Sequence, residues 1–415
     1  MIRRNAWKDF KLELTQFTRV GEDMSKVERP ILMVPGPSEV PAGVLTAVSL
    51  HPMPYYGRRW GKIFEEVREM AKKPFGSSGE ILLIPAPYSA ALEMGIANLV
   101  PPDGKLLVIV NGFCGERIVD IAHHLGREVV TVEADYGQIV KPSELKSALQ
   151  ENPDVNLVAT MHSETSTGVR NPVKTYGKVV QENSNALFMV DASSSYGGMD
   201  LRVDEWSIDY CVGHCGMAIS GLTGITPVAV SPRAERIIED RKWKVAAWFL
   251  DLKVWKESID KWSVLGRPYP TEVPTHTILA FREALRIVLS EGLEKRYERH
   301  IKMAAAFREA VRAMGLETVA PDEYASSTIT VIKVPSGMPK KLIQEMLHRF
   351  NILLARGMGK LENTTVRVGH MGMTANIPYL VYTITGLAYT LRKLGFEADE
   401  GTALEAFYSS LGTLP

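Results

Sequence analysis

The sequence predicts an α/β protein, a mainly parallel, doubly wound sheet followed by a smaller C-terminal α+β domain. Three observations predict it. Short apolar runs alternate with helical segments through most of the chain. Those runs are apolar on both faces, as strands buried between two helical layers are. Beyond about residue 270 the alternation gives way to long helical stretches with isolated strands. Residues 1–29 therefore read as a polar N-terminal extension, 30–270 as a large α/β domain and 271–415 as a small α+β domain.

The ordered chain begins at "ILMVPGPSEVP" (31–41), where Pro and Gly impose an irregular backbone. Buried parallel strands follow at 80–85, 105–110, 128–133, 156–162, 186–191, 209–213 and 226–231. Helical segments lie between them at 89–99, 115–125, 142–150 and 173–183. The small domain reads as a long helical stretch (274–314), a strand (327–334), a helix (338–349), a strand (363–369) and a last helix (376–395).

Composition excludes several function classes. The 48 basic and 48 acidic side chains cancel, so nothing favours nucleic acid or an anionic membrane. No apolar run approaches the ~18 residues of a membrane span. The N-terminus "MIRRNAWKDFKLEL" is charged and amphipathic, unlike a signal peptide. Three cysteines, Cys114, Cys211 and Cys215, make no disulfide framework and no CxxC pair, which points to a reducing, cytoplasmic setting.

In a parallel sheet the chemistry gathers past the carboxyl ends of the strands. Here those positions are Asn111 to Cys114, His162 to Gly168, Asp191 and His214 to Met217. "HSETSTG" (162–168) can hydrogen-bond a small polar ligand, or simply form a Ser/Thr-rich turn. Asp191 ends an apolar strand, where a carboxylate wants a cation. A protonated ring nitrogen of a heterocyclic cofactor, a structural arginine or an N-cap role would each answer that need.

"PGPSEVP" (35–41), "NGFCGER" (111–117), "HSETSTG", "VDASSSYGG" (190–198), "FLDLK" (249–253), "RPYPTEVP" (267–274) and "VRVGHMG" (366–372) carry a resemblance. In their order and spacing the chain resembles the class V aminotransferases, nearest the alanine–glyoxylate and serine–pyruvate branch, over about residues 30–395. The resemblance implies the PLP-transferase fold of type I, a homodimer with its site at the subunit interface, and pyridoxal phosphate (PLP) as cofactor. It implies that Asp191 pairs with the pyridine nitrogen and that Ser166 or Thr167 sits by the ring hydroxyl. Tyr269 would reach across the dimer to the phosphate, Pro35 to Ser38, Gly36 among them, would line the substrate mouth, and Arg367 would grip a substrate carboxylate.

The same alignment shows departures. The Schiff-base lysine of the family falls on Met217, within "GHCGM"; Lys242 and Lys244 lie beyond another strand and helix. The phosphate loop falls on "PAPYSAA" (85–91), which contains Ser89 but whose Pro85 and Pro87 offer no N–H. The ring-stacking aromatic falls on Cys114, and a hydroxyl near the phosphate on Glu272. A carboxylate about 4 Å from a phosphate charge costs about 4 kcal/mol at an effective dielectric near 20.

Three readings follow. The chain is a divergent family member that takes a small amino acid or 2-oxo acid and cannot run standard transamination; if active, it uses PLP or pyridoxamine phosphate (PMP) without lysine, with His214 the nearest replacement. Or it is a non-catalytic homodimeric pseudoenzyme that keeps the fold, with a carboxylate site around Arg367, and acts as a partner or regulatory subunit. Or Cys114, His162, His214 and Cys215 form a repurposed site holding a metal or a thiol nucleophile.

Overall fold

The computed structural model describes residues 29–412. The expected N-terminal extension lies outside the described residues except for Arg29, whose carbonyl accepts from Asn351 Nδ2 at 2.9 Å.

The chain opens with β1 (Ile31–Leu32), α1 (Ala42–Val48) and α2 (Arg58–Phe75). The α/β alternation then runs β2 (Glu80–Ile84), α3 (Tyr88–Leu99), β3 (Lys105–Val110), α4 (Phe113–His124), β4 (Glu128–Glu133), α5 (Pro142–Glu151) and β5 (Val155–Met161). A small hairpin, β6 (Ser163–Glu164) with β7 (Val169–Arg170), precedes α6 (Val173–Asn183), β8 (Leu187–Asp191), β9 (Tyr210–Val212) and β10 (Thr226–Val230). Helices α7 (Pro232–Asp240), α8 (Leu252–Trp262), α9 (Thr275–Glu291) and α10 (Leu293–Ala313) lead into the last part. That part holds β11 (Glu317–Thr318), β12 (Ile329–Lys333), α11 (Met338–Phe350), β13 (Ile352–Leu353), β14 (Ala355–Arg356), β15 (Thr365–Gly369), α12 (Ile377–Lys393) and α13 (Glu400–Leu411).

The large sheet has seven strands in the order β2-β10-β9-β8-β5-β3-β4. Five of its strands, β9-β8-β5-β3-β4, are parallel. β10, expected to be parallel like the rest, instead runs antiparallel to both β2 and β9. The cause is local: residues 213–225 contain no crossover helix, so the chain doubles back after β9. The expected helical stretch 274–314 is two helices, α9 and α10, divided at Gly292, whose φ of 86° ends a right-handed helix.

Two cores form. The first packs Leu107, Val158, Phe188 and Val228 of the sheet against helices, and Ile278, Phe281 and Leu285 of α9 belong to it. The second packs Phe307, Val366, Ile384 and Phe407 around the four-stranded sheet β11-β12-β15-β14, and Met33 belongs there. The described chain thus enters the second core at Met33, builds the first, and returns.

Candidate functional site

The polar site grows from the carboxyl ends of β3, β5, β8 and β9. After β3, Gly112 turns the chain into α4. Its lack of a side chain is required, because a Cβ there would stand 2.4 Å from Glu164 Cγ and 2.5 Å from Ser166 Oγ. Those two residues cap the helix. The buried Glu164 carboxylate accepts from Cys114 N (3.3 Å), Gly115 N (3.0 Å), Ser166 N (3.0 Å) and Ser166 Oγ (2.6 Å). Ser166 Oγ in turn accepts from Phe113 N at 2.9 Å. An anion at a helix N-terminus satisfies orphan N–H groups and meets the positive end of the dipole. Ser166 is therefore occupied with the helix, whereas Thr167 Oγ1 is buried without a hydrogen-bond partner among the described residues.

Asp191 ends β8, buried, with its carboxylate accepting from Ser193 N at 2.8 Å. It forms no ion pair among the described residues. Burial pushes its pKa up to about 6, against hydrogen bonds from Ser193 and the positive field of Arg117.

Tyr88, the first residue of α3, comes from the strand-to-helix stretch 85–91. Its hydroxyl accepts from Arg117 Nη1, and its ring meets His214 edge-on with centroids 5.8 Å apart. Arg117 also lies over the Phe113 ring, 5.5 Å from its centroid. Sequence reasoning missed Tyr88, Arg117 and Glu164 as site residues. The signal was present, since all three stand inside the quoted stretches "PAPYSAA", "NGFCGER" and "HSETSTG".

His214 Nδ1 accepts from Gly216 N at 2.9 Å, which assigns its proton to Nε2. Burial lowers its pKa to about 4, so the ring is neutral at physiological pH. Met217 is half-buried in the same loop. Ser38 ties that loop down, with Ser38 Oγ donating to Met217 O (2.6 Å) and Ser38 N to Gly216 O (3.0 Å). The Met217 side chain leans on Gly36, where a Cβ would come within 3.0 Å of Met217 Cγ. Pro35 is buried beside Gly369, at the end of β15.

Arg367 stands on β15 with its Nε donating to Arg356 O at 2.7 Å. It has no carboxylate partner among the described residues. Burial lowers its pKa; Cys114, Glu164, Arg117 and Tyr88 are the charged or ionisable groups whose fields it feels most. The register explains this placement: Val331 pairs with Arg367 and packs against Gly168, which closes the loop that caps α4.

Other expected residues lie elsewhere or are differently employed. Tyr269 is wholly buried in its own chain; its hydroxyl accepts from Trp60 Nε1 at 2.6 Å and donates to Tyr55 O. Glu272 is exposed and accepts from Thr271 Oγ1 at 3.0 Å. Ser89 is half-buried in the first turn of α3.

The repurposed site does not assemble as expected. His162 bonds Ser195 Oγ through Nδ1 (2.9 Å) and stacks edge-on against Trp206. It lines a separate cavity of about 460 Å³ with Arg170, Trp206 and Tyr297. Cys215 is inaccessible, and burial raises its thiol well above the ordinary value. Cys114 bonds Thr165 Oγ1 at 3.3 Å, and burial raises its thiol too. Thiols so raised are not nucleophiles at neutral pH. Among the described residues no three His, Cys, Asp or Glu side chains group to hold a metal. His214 and Cys215 lie in the turn after β9, Cys114 in the first turn of α4 and His162 between β5 and β6, each held by its own local contacts.

Comparison with known proteins shows the family. The family profile "Aminotransferase class-V" matches residues 46–373. An uncharacterized aminotransferase of Methanocaldococcus jannaschii is 33% identical over 90% of this chain and 95% of its own. A protein of Anabaena cylindrica named soluble hydrogenase 42 kDa subunit is 31% identical over 89% of this chain and 95% of its own. The crystal structure of an alanine–glyoxylate aminotransferase from Nostoc superposes with a TM-score of 0.84 at 29% identity, covering 91% of this chain and 99% of that one.

Proposed function

From the premise that the chain belongs to the class V aminotransferase family, we propose a homodimeric member that holds a small amino acid or 2-oxo acid and does not run lysine-anchored transamination. The observation that carries this reading is the loop after β9. It presents the Met217 thioether to Gly36, and a thioether neither forms a Schiff base nor shuttles a proton. Arg367 supports the ligand class, as a guanidinium on a strand, free of a carboxylate partner among the described residues, whose remaining donors suit a planar carboxylate.

PLP is tested against the residues present. Asp191, buried with no ion pair among the described residues, and Thr167 Oγ1, buried with no partner among them, suit a protonated ring bearing a hydroxyl. Met217, the Tyr88 side chain lodged by His214, and Pro87 at the head of α3 do not suit an anchored, phosphorylated cofactor. Taken together the residues do not fit lysine-anchored PLP. His214 is a poor substitute for the lysine, since a base with a pKa near 4 has little driving force to take a proton at neutral pH. The three buried, unbridged thiols accord with a reducing, cytoplasmic setting.

The test is calorimetric and spectroscopic. Alanine, pyruvate or glyoxylate is expected to bind the wild-type dimer, and Arg367→Ala to weaken that binding at least about tenfold. The spectrum is expected to stay free of a tightly held cofactor band after addition of PLP and then PMP and gel filtration. A retained band overturns the reading. A non-catalytic subunit role is the second reading, favoured by the similarity to a protein named as a hydrogenase subunit. Turnover of any amino acid with a 2-oxo acid that disappears in Arg367→Ala excludes it.

A further inference from the structure

We propose that Tyr88 occupies the place a cofactor ring would take beside Asp191, so that the site is filled from within and receives its small carboxylate directly. The inference rests on the reading of Arg367 as the residue that receives the ligand's carboxylate. Tyr88 is the first residue of α3, and side chains of a helix lean toward its N-terminus. That direction carries the phenol out of the helix and toward the ends of the sheet strands. It is held there from two sides, by the hydrogen bond from Arg117 and by the edge-on contact with His214. Arg117 is itself steadied over Phe113, so the phenol has a fixed partner.

The neighbours of the phenol are telling. Burial and then the Asp191 carboxylate push its pKa above the ordinary value, with the Cys114 thiol acting in the same direction. The phenol therefore shares its environment with the carboxylate that would face a ring nitrogen and the thiol that stands where a stacking ring is expected. A phenol and a pyridine are six-membered rings of the same size, and close-packed interiors do not hold both in one place. Asp191 gains no cation from this neighbour, which agrees with its raised pKa. The head of α3 adds an independent obstacle, because Pro87 at the N-cap has no N–H to give to a phosphate.

The experiment measures PLP affinity of the full-length protein by fluorescence quenching, for wild type, Tyr88→Phe, Tyr88→Gly, Met217→Lys and the Tyr88→Gly/Met217→Lys double variant. Thermal melting confirms that each is folded, and Tyr88→Ser replaces Tyr88→Gly if the glycine variant is not. Wild type, Tyr88→Phe and Met217→Lys are expected to bind weakly. Tyr88→Gly is expected to gain at least about tenfold in affinity, and the double variant more. Equal affinity in Tyr88→Gly and Tyr88→Phe overturns the assignment, as does tight binding by Met217→Lys alone. Tight binding by wild type overturns the proposed function itself, so the two failures are distinguishable.

Discussion

Asp191 is a buried carboxylate without an ion pair among the described residues, and its environment makes that charge measurable. The unfolded carboxyl loses its proton near pH 4, the folded one near 6. Between those values the folded state holds the proton more tightly, so this group's contribution to stability falls as pH rises through the window and stays low above it. Asp191→Asn keeps an acceptor for Ser193 N and removes the charge. It is expected to stabilise the protein at pH 7 by about 1–3 kcal/mol and to have little effect near pH 4, read as the difference between urea curves of variant and wild type. At the same scale, Met217→Lys alone is expected to leave transaminase turnover near background in a coupled assay, because Tyr88 and Pro87 are untouched. Part of this site was legible in the sequence. Met217, Asp191 and Arg367 stand in stretches whose spacing is specific. Tyr88 and Arg117 stand inside quoted stretches, but the contact between two helix starts that gives them their roles pairs residues far apart in sequence.

Helix α4 shows how an element is placed by a residue far from it in sequence. Its first turn has no side-chain cap of its own, since Gly112 stands at the N-cap, and Glu164 from β6 supplies the acceptor. Glu164→Ala is expected to lower stability by about 1–3 kcal/mol, because buried N–H groups lose their partner. Glu164→Gln, which keeps an oxygen, should lose less; chemical denaturation of both variants checks the order. The elements themselves were mostly readable, for a physical reason. Strands buried on two faces leave unbroken apolar runs such as "KLLVIV", and the helices between them are amphipathic. The direction of β10 was not readable, because an apolar run carries no sign of parallel or antiparallel pairing; only the helix-free return after β9 decides it. Short strands such as β1, β13 and β14 were also hidden, each holding two residues in the sheet by backbone bonds alone.

Across the whole molecule, buried histidines make the fold sensitive to acid. Burial holds His162 and His370 near a pKa of 3 and His214 near 4, below the 6.5 of an unfolded chain. Stability from these groups is complete above pH 6.5 and is lost as pH falls through the folded values, because the unfolded chain takes up protons first. Unfolding by acid is thus expected to set in below pH 6 and steepen toward pH 4, followed by circular dichroism. The surface bears a second whole-molecule feature. Tyr56, Val264 and Leu265 stand out into solvent together, joined by the bond from Gly57 N to Leu265 O (2.9 Å), and Val264 is 88% exposed. An apolar group of this kind suits the proposed dimer contact. Val264→Asp with Leu265→Asp is expected to yield monomers in sedimentation velocity, and an unchanged dimer would place the contact elsewhere.

The strap from Met33 to Ser38 joins these scales. Met33 is rooted in the second core and accepts from Gly369 N (2.9 Å), while Ser38 grips the loop that holds Met217. Gly36, between them, has a φ of 123° and lies under the Met217 side chain. The strap works as a rein: one short length of chain ties the end of β15, two residues past Arg367, to the loop that carries Met217.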